Sequence, residues 1–360
     1  MKTLEYLSNF GLEKLVEEFS IKVSVDERFP DLKVLNYNQI DSPKNHPIVR
    51  ECRSLVVKEE LDGKTYSVVS RAFDRFFNQG ENGINYKLED LTIYEKVDGS
   101  LISVFYCEPY GWMYRTKSML MPVLSVQGWD RTWDALIESS LGWSDIDFST
   151  LDKDYTYIFE VVGRENRVVV NYPEDKAYLL AVRDNINGGY CEIGLTKFKL
   201  PRKYSFKTTE DCMKSLKELP NLEEGYVGYE SGIPVVKIKS PQYLTAHRLR
   251  GEGLTPKRAI EMVVIGELDE YTSVFPEDKQ YFDKYVNAWY TLESLCKTQY
   301  LNTKGIVDQK EFALNNKVFY SGVMFQSRAT GKDPVKVLHN LENSYKIKLL
   351  QTMLEKLDEN

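Results

Sequence analysis

The side chains that build disulfide frames and zinc centres are scarce in this chain. Its five cysteines (Cys52, Cys107, Cys191, Cys212 and Cys296) lie far apart, with no Cys-x-x-Cys spacing. That pattern argues for reduced thiols in a cytosolic setting, against a disulfide frame and against a zinc site. Only three histidines occur (His46, His247 and His339). None lies within metal-ligand spacing of another, which argues against histidine-based metal chemistry. No run approaches the ~20 apolar residues that span a bilayer, so no membrane partner is expected. The N-terminal stretch MKTLEYLSNFGLEKLVEEF lacks the apolar core of a secretory signal, and the expected compartment is the cytoplasm. An excess of positive charge is also missing. Lys and Arg number 47 against 54 Asp and Glu, a net charge of −7, which does not suggest general nucleic-acid affinity. One local exception runs from Lys237 to Arg258, where Lys237, Lys239, Arg248, Arg250, Lys257 and Arg258 face a single acid, Glu252. Such a strip can hold phosphates or be a solvated linker face.

What is present has two textures. A chain of 360 residues is long enough for about two domains. The first twenty residues read as one helix, with Leu12, Leu15, Val16 and Phe19 at helical spacing. From about Lys33 to Lys239 short β-rich runs alternate with Gly, Asn, Asp and Pro: SLVV (54–57), YSVVSRAF (66–73), LTIYEKV (91–97), LISVFYC (101–107), YTYIFEVV (155–162), RVVVNY (167–172), AYLLAVRD (177–184), EGYVGY (224–229) and IPVVKIKS (233–240). Many short strands with turn chemistry between them indicate mostly antiparallel sheets. WDRTWDALIESSLGW (129–143) and residues 208–219 read as interposed helices. Beyond about Leu244 the β signal fades, and residues 255–267, 277–299, 308–319 and 333–357 carry helical periodicity. The expected class is α+β, followed by an all-helical C-terminal domain. The boundary lies near 245–255, giving domains 1–248 and 249–360.

The candidate chemistry starts at Lys96 in YEKVDGSLIS. A lysine with the reference pKa of ~10.4 is almost wholly protonated at pH 7, so a nucleophilic lysine must be desolvated or placed among other cations. A strand end leading into a tight Asp98-Gly99 turn would hold the amine at a cleft mouth. Lys-x-Asp-Gly alone arises by chance in roughly one chain in ten of this length, and a surface lysine explains it as well. The companions carry more weight. In VVKIK, Lys237 and Lys239 share one face of a strand while Val236 and Ile238 face a core. Two lysines aimed together repel unless an anion such as a polyphosphate lies between them, or unless they guard an edge strand. Glu224 precedes Gly225 in EEGYVGY, and Glu160 lies inside the apolar strand YIFEVVG. A carboxylate there needs a metal, a lysine or a hydroxyl partner if buried, or it faces outward. Arg53 in ECRSLVV, Arg75 in SRAFDRFFN and Lys117 in YRTKSM, a turn-to-strand segment after the lysine turn, add three cations.

In order, ECRSLVV, SRAFDRFFN, EKVDGSLIS, YRTKSM, YIFEVVG, EEGYVGY and VVKIKS resemble the motifs of the covalent nucleotidyltransferases (DNA ligases, RNA ligases and mRNA capping enzymes), and are most similar to ATP-dependent RNA ligases of the phage RNA ligase 1 type. The resemblance covers roughly residues 35–245. It implies a nucleotidyltransferase domain in which Lys96 attacks the α-phosphate of ATP, expels pyrophosphate and becomes lysyl–AMP. It implies further that Lys237 and Lys239 grip that phosphate and, as nearby positive charge, lower the pKa of Lys96. Arg53 and Arg75 would hold the outer phosphates, within reach of Tyr37. Asp98 and Gly99 would shape the nucleotide turn. Glu95 would accept from the adenine amino group, and Val227 would pack on the adenine face. Glu160 would meet the ribose and, with Glu224, bind Mg²⁺, with Mn²⁺ as the alternative. Lys117 matches a family cation near the nucleophile. The implied partner is RNA with 5′-phosphate and 3′-hydroxyl ends, with nicked tRNA anticodon loops as the natural class and the helical domain bearing on RNA choice. A monomer is expected, in the host cytoplasm if the source is a bacteriophage. Two departures stand out: Arg75 replaces the usual lysine, keeping the charge, and Val97 replaces a commonly polar residue.

Two other readings use the same residues. A DNA ligase or capping enzyme would commonly continue into an OB-fold barrel, whereas the last hundred or so residues here read helical. A catalytically inactive RNA-binding or repair scaffold would not need Lys96, Glu160, Glu224, Lys237 and Lys239 together.

Overall fold

Short runs rich in β-branched and aromatic residues, broken by turn residues, draw the first part of the chain into sheets. The computed structural model describes residues 1–38, 40–126, 130–193, 197–251 and 254–358. Of the positions used above, Trp129 and Glu252 lie outside these residues. The chain divides into two compact units, Met1–Arg248 and Leu249–Asn360.

In the first unit, helix α1 (Lys2–Phe19) is interrupted at Gly11, whose φ of 80° is not helical. It lays Leu7, Leu15 and Phe19 on an antiparallel sheet of β1 (Ile21–Asp26), β2 (Phe29–Tyr37), β3 (Arg53–Glu59) and β4 (Tyr66–Arg71). The β text thus begins at Ile21, earlier than Lys33. A short helix, α2 (Pro47–Glu51), connects β2 to β3. Ten further strands follow: β5 (Phe77–Asn78), β6 (Thr92–Glu95), β7 (Ser100–Cys107), β8 (Gly111–Arg115), β9 (Tyr155–Val162), β10 (Lys176–Asp184), β11 (Tyr190–Cys191), β12 (Lys203–Tyr204), β13 (Gly225–Glu230) and β14 (Ile233–Lys239). They form two five-stranded sheets, ordered β11-β10-β9-β7-β8 and β12-β6-β13-β14-β5. The pairing of β14 with β5 is parallel and the other strand pairs are antiparallel. Helix α3 (Trp133–Leu141) buries Leu136 and Ile137 against Phe159 and Val161 of the first of these sheets. Helix α4 (Thr209–Ser215) buries Cys212 against the second, beside Ile93 and Tyr226. Leu32, Val34 and Val56 meet Phe105 and Met113 in the layer between the four-stranded sheet and β7–β8.

One expected strand is missing. RVVVNY (167–172) is β-branched enough for a strand, yet it forms none. The backbone N–H groups of Val169 and Val170 both donate to the Asp98 carboxylate, each at 2.8 Å, so a side chain takes the donors that a strand neighbour would have used.

Helix α5 (Pro241–Arg250) leads to the second unit, which is helical: α6 (Pro256–Ile265), α7 (Leu268–Val274), α8 (Lys279–Thr303), α9 (Gln309–Asn315), α10 (Ser321–Thr330), α11 (Pro334–Asn340) and α12 (Asn343–Asp358). The periodic stretch 333–357 is two helices rather than one. Leu341 is extended, and the Glu342 carbonyl restarts the ladder by accepting from the N–H groups of Tyr345 and Lys346. Leu292, Cys296, Phe312, Met324, Leu338 and Leu350 build its core. No described helix is long and apolar enough to cross a membrane.

Candidate functional site

The Lys96–Gly99 segment is where the chain leaves one five-stranded sheet for the other. β6 ends at Glu95 and pairs with β12 and β13, whereas β7 starts at Ser100 and pairs with β8 and β9. The Asp-Gly pair is therefore a crossover, which corrects the tight turn expected from its composition. Glycine is needed for closeness: a Cβ on Gly99 would lie 2.3 Å from the Val161 carbonyl oxygen. Asp98 is buried and fully engaged. Its Oδ2 accepts from Val169 and Val170, its Oδ1 accepts from the Tyr243 hydroxyl at 2.7 Å, and its own N–H donates to Tyr172 at 3.3 Å. The crossover is thereby pinned to the 167–172 segment and to α5.

The backbone N–H of Lys96 donates to the Gly225 carbonyl, 2.8 Å away, one step past the β6–β13 ladder. This brings the start of β13 alongside the lysine. Gly225, at φ 133°, again allows close approach, because a Cβ there would meet the Ile238 carbonyl oxygen at 2.1 Å. Glu224 consequently sits between two lysines. Lys96 Nζ donates to its Oε2 at 2.7 Å, and Lys239 Nζ lies 2.8 Å from its Oε1. The Glu224 side chain is 4% exposed and that of Lys96 is 21% exposed. Burial pushes the Glu224 carboxyl up, but Lys96 and Lys239 outweigh it and hold the group below the usual carboxylate range. Burial pulls the Lys96 amine down, yet Glu224, Glu160 and Asp98 together hold it above the ordinary lysine value. The expectation that cationic neighbours depress Lys96 is corrected here: in the free chain the amine is an ammonium paired with Glu224.

The depressed amine is Lys237. On β14, Val236 and Ile238 are buried while Lys237 and Lys239 share the opposite face. Burial first, then Arg53, Lys96, Lys239 and Arg75, lower the Lys237 amine to about 7. Its Nζ lies 4.9 Å from the Phe76 ring centroid, a weak cation–π contact. Glu160 is buried on β9, opposite Leu101 and Tyr178, and does not face outward. Its Oε1 accepts from the Gly99 N–H at 3.1 Å. Burial raises its carboxyl to about 7, with Lys96 opposing and Glu224 and Asp98 reinforcing the rise.

A second cluster of cations lies around Tyr37. Arg75 Nη1 donates to the Tyr37 hydroxyl at 3.0 Å, and its Nη2 pairs with Glu81 at 3.1 Å. Lys117 Nζ stands 5.9 Å and Arg75 Cζ 5.4 Å from the Tyr37 ring centroid. Burial raises the Tyr37 phenol, but Arg75, Arg53 and Lys117 bring it below its ordinary value. Arg53 has a buried Nη1 with no hydrogen-bond partner among the described residues. Burial, more than any neighbour, lowers its guanidinium. An unpaired buried donor next to a desolvated lysine suits an anion. The preceding residues of that motif face elsewhere: Glu51 accepts from the N–H groups of Lys2 and Thr3 at the start of α1, and Cys52 is buried.

Two remaining predicted residues, Glu95 and Val227, lie on β6 and β13 of the second five-stranded sheet. Glu95 is held by Arg202, whose Nε donates to it at 3.0 Å, while Arg202 also reaches Glu223 at 2.7 Å. Val227 pairs with Tyr94 and Lys237. The basic strip does not act as one surface: Arg250 pairs with Asp278, and Arg258 with Glu261 and Glu267. In the helical unit Trp289 and Tyr320 are core residues, and Arg328 packs 4.3 Å from the centroid of Phe312. Sequence reasoning missed Tyr243, Phe76 and Glu81. Phe76 had a signal, since an aromatic beside a cation in a motif is a ready platform, but nothing local marked Tyr243.

Among the described residues no group of three or more His, Cys, Asp or Glu side chains could hold a metal ion. Mg²⁺ does not need one, because it is bound through one or two carboxylates with water and substrate phosphates. Glu160 and Glu224, both buried beside Lys96, offer hard oxygens of that kind, so the residues fit such an ion.

A sequence model described as RNA ligase matches residues 51–229. A protein of Autographa californica nuclear polyhedrosis virus, named as a bifunctional polynucleotide kinase/RNA ligase, is 34% identical over 304 residues, covering 78% of this chain and 43% of its own length. A protein of Thermovibrio ammonificans named as an RNA ligase is 32% identical over 219 residues, covering 56% and 54%. The RNA ligase of Rhodothermus phage RM378 is 25% identical over 391 residues, covering 85% of each. The chain spans about half the length of the first two relatives.

Proposed function

We propose, from the match of residues 51–229 to an RNA ligase sequence model and from the site geometry, that the chain is an ATP-dependent ligase that joins 5′-phosphate to 3′-hydroxyl RNA ends through lysyl–AMP on Lys96. The observation that carries this reading is the Lys96–Glu224–Lys239 arrangement, with Lys237 and Glu160 beside it at one sheet crossover. In the first step the Lys96 ammonium gives one proton to solvent, its neutral amine forms a bond to the α-phosphorus of ATP, and the nitrogen releases a second proton to solvent as the phosphoramidate forms. The bond from that phosphorus to the bridging oxygen breaks, and pyrophosphate leaves. Lys237 and Lys239 offset the charge on the phosphoryl oxygens, while Arg53, Arg75, Lys117 and Tyr37 take the outer phosphates. Next, a 5′-phosphate oxygen of RNA attacks the same phosphorus, the nitrogen–phosphorus bond breaks, and the lysine takes up two protons from solvent to return to the ammonium. Finally a 3′-hydroxyl, releasing its proton to solvent, forms a bond to the 5′-phosphorus; the anhydride bond to the adenylate breaks and AMP leaves. Glu160 and Glu224 would hold Mg²⁺, or Mn²⁺ in its place, which when bound neutralises charge on phosphate oxygens. Diversion of Glu224 from Lys96 is what frees the amine, and Glu95 and Val227 receive the adenine. The substrate class we assign is nicked tRNA-like RNA, with the helical unit contributing to its choice.

The test is incubation with α-labelled ATP and Mg²⁺. An acid-labile AMP adduct is expected on the wild type and is expected to vanish in Lys96→Ala. Its absence from the wild type would sink the ligase reading and favour an inactive RNA-binding scaffold. Joining of nicked DNA but not of RNA would favour a DNA ligase, and transfer of a nucleotide to an RNA diphosphate end would favour a capping enzyme.

A further inference from the structure

Arg115, the last residue of β8, is 1% exposed, and no carboxylate pairs with it among the described residues. Burial alone lowers its guanidinium to about 9. Such a charge is costly inside a protein and is held only where its hydrogen bonds are needed. Its Nε donates to Ser70 Oγ at 3.0 Å, and its Nη1 donates to Ser54 Oγ and to the Thr116 carbonyl. Ser54 is buried and strained, with a φ of 62° that non-glycine residues rarely adopt. Its N–H donates to Asn36 Oδ1 at 2.9 Å, and its hydroxyl donates to the Lys117 carbonyl at 2.7 Å. Asn36 Nδ2 donates to that same carbonyl at 2.9 Å. Three buried polar residues thus close a knot across β2, β3 and the end of β8.

The position of the knot is informative. Tyr37 follows Asn36, Arg53 precedes Ser54, and Lys117 lies two residues beyond Arg115. The fourth member of the cluster, Arg75, reaches it through the Tyr37 hydroxyl. None of Lys96, Glu224, Lys237 or Lys239 hydrogen-bonds to Asn36, Ser54 or Arg115 among the described residues. We propose that Arg115, Ser54 and Asn36 are positioning residues that set Tyr37, Arg53 and Lys117 for the outer phosphates of ATP, and therefore serve formation of lysyl–AMP and not the sealing of RNA that is already adenylylated. This inference rests on the ligase reading above. Its reason is chemical: the β- and γ-phosphates are present only in the first step and leave as pyrophosphate, so groups aimed at them have no partner in the last.

The experiment uses the full chain and measures two reactions: lysyl–AMP formation as a function of ATP concentration, and sealing of a synthetic 5′-adenylylated RNA to a 3′-hydroxyl RNA without ATP. The variants are Arg115→Met, Arg115→Lys and Ser54→Gly. Glycine accepts the left-handed backbone of residue 54, so Ser54→Gly removes the hydroxyl without adding strain and decides the matter if Arg115→Met does not fold. Misplacing a binding group by an ångström costs about 10²-fold. Arg115→Met and Ser54→Gly are therefore expected to raise the KM for ATP about 10- to 100-fold while sealing of adenylylated RNA changes by no more than about threefold. Arg115→Lys, which keeps the charge and a single hydrogen bond, is expected to recover part of the loss. Equal losses in both reactions would mark the knot as merely structural and overturn the inference, as would an unchanged KM in Ser54→Gly. A wild type that forms no lysyl–AMP would instead overturn the ligase reading itself.

Discussion

Glu160 and Lys237 are buried ionisable groups whose charged forms are both penalised, and they load the free protein at opposite ends of the pH scale. Burial raises the Glu160 carboxyl from its ordinary 4.5 to about 7. Between those values the folded state binds more protons than the unfolded one, so the stability contributed by the neutral acid is lost as pH rises through 7. Glu160→Gln is expected to raise Tm at pH 8, to lose that advantage by pH 5, and to impair adenylylation. Lys237 is the mirror case, its amine lowered from 10.5 to about 7. The unfolded chain binds the extra proton between those values, so wild-type stability rises with pH across that window. Lys237→Met is expected to raise Tm most below pH 7 and least near pH 10. Thermal melts across pH without nucleotide or metal check both, and parallel pH trends for the two variants would contradict the assignment. Interrupting an apolar strand marks Glu160 as an acid that is either buried with a partner or turned outward, and only the fold decides for burial; Lys237 is marked by two lysines alternating with Val236 and Ile238. The sign of the Lys96 shift was not legible, since it depends on Glu224, 128 residues away.

At the level of elements, the crossover depends on Asp98. Its carboxylate ties the end of β6 to the 167–172 segment and to α5 through three hydrogen bonds. Asp98→Ala strands two buried N–H groups and a buried hydroxyl, and is expected to cost roughly 2–5 kcal/mol in urea unfolding. A loss below 1 kcal/mol would show that water replaces the carboxylate. The same contact explains a misreading: Val168, Val169 and Val170 have the composition of a strand, but the acid that consumes their donors lies far away in sequence. Elsewhere β-rich composition sufficed on β7 and β9, which are buried over consecutive residues, and alternation sufficed on β14. The break at Leu341 between α11 and α12 carried no proline or glycine to announce it, and the apolar period runs through it unbroken. The Asn36–Ser54–Arg115 knot was invisible for a related reason. Its members are scattered over three strands, and a buried arginine without an acid has no local signature.

At the scale of the whole molecule, the unit Met1–Arg248 holds every residue proposed for ATP, and the helical unit holds none of them. Deleting residues 255–360 is therefore expected to leave self-adenylylation within a few-fold of the full chain while weakening the joining of nicked anticodon loops relative to plain oligonucleotides. Gel-based sealing of both substrates by the two proteins checks this, and unchanged selectivity would count against a substrate role for that unit. In the sequence the β-rich runs fade beyond about Leu244, and the helices beyond Leu249 carry ordinary amphipathic patterns from which no RNA contact can be read.

The ion pair between Lys96 and Glu224 has a protective side. Acyl phosphates, thioesters and cyanate modify lysines only through the uncharged amine, and exposed lysines with ordinary pKa values supply a small steady fraction of it. A lysine clasped by a buried carboxylate supplies less. The residue proposed to react with one phosphorus atom is thus held, at rest, mostly in its unreactive protonated form.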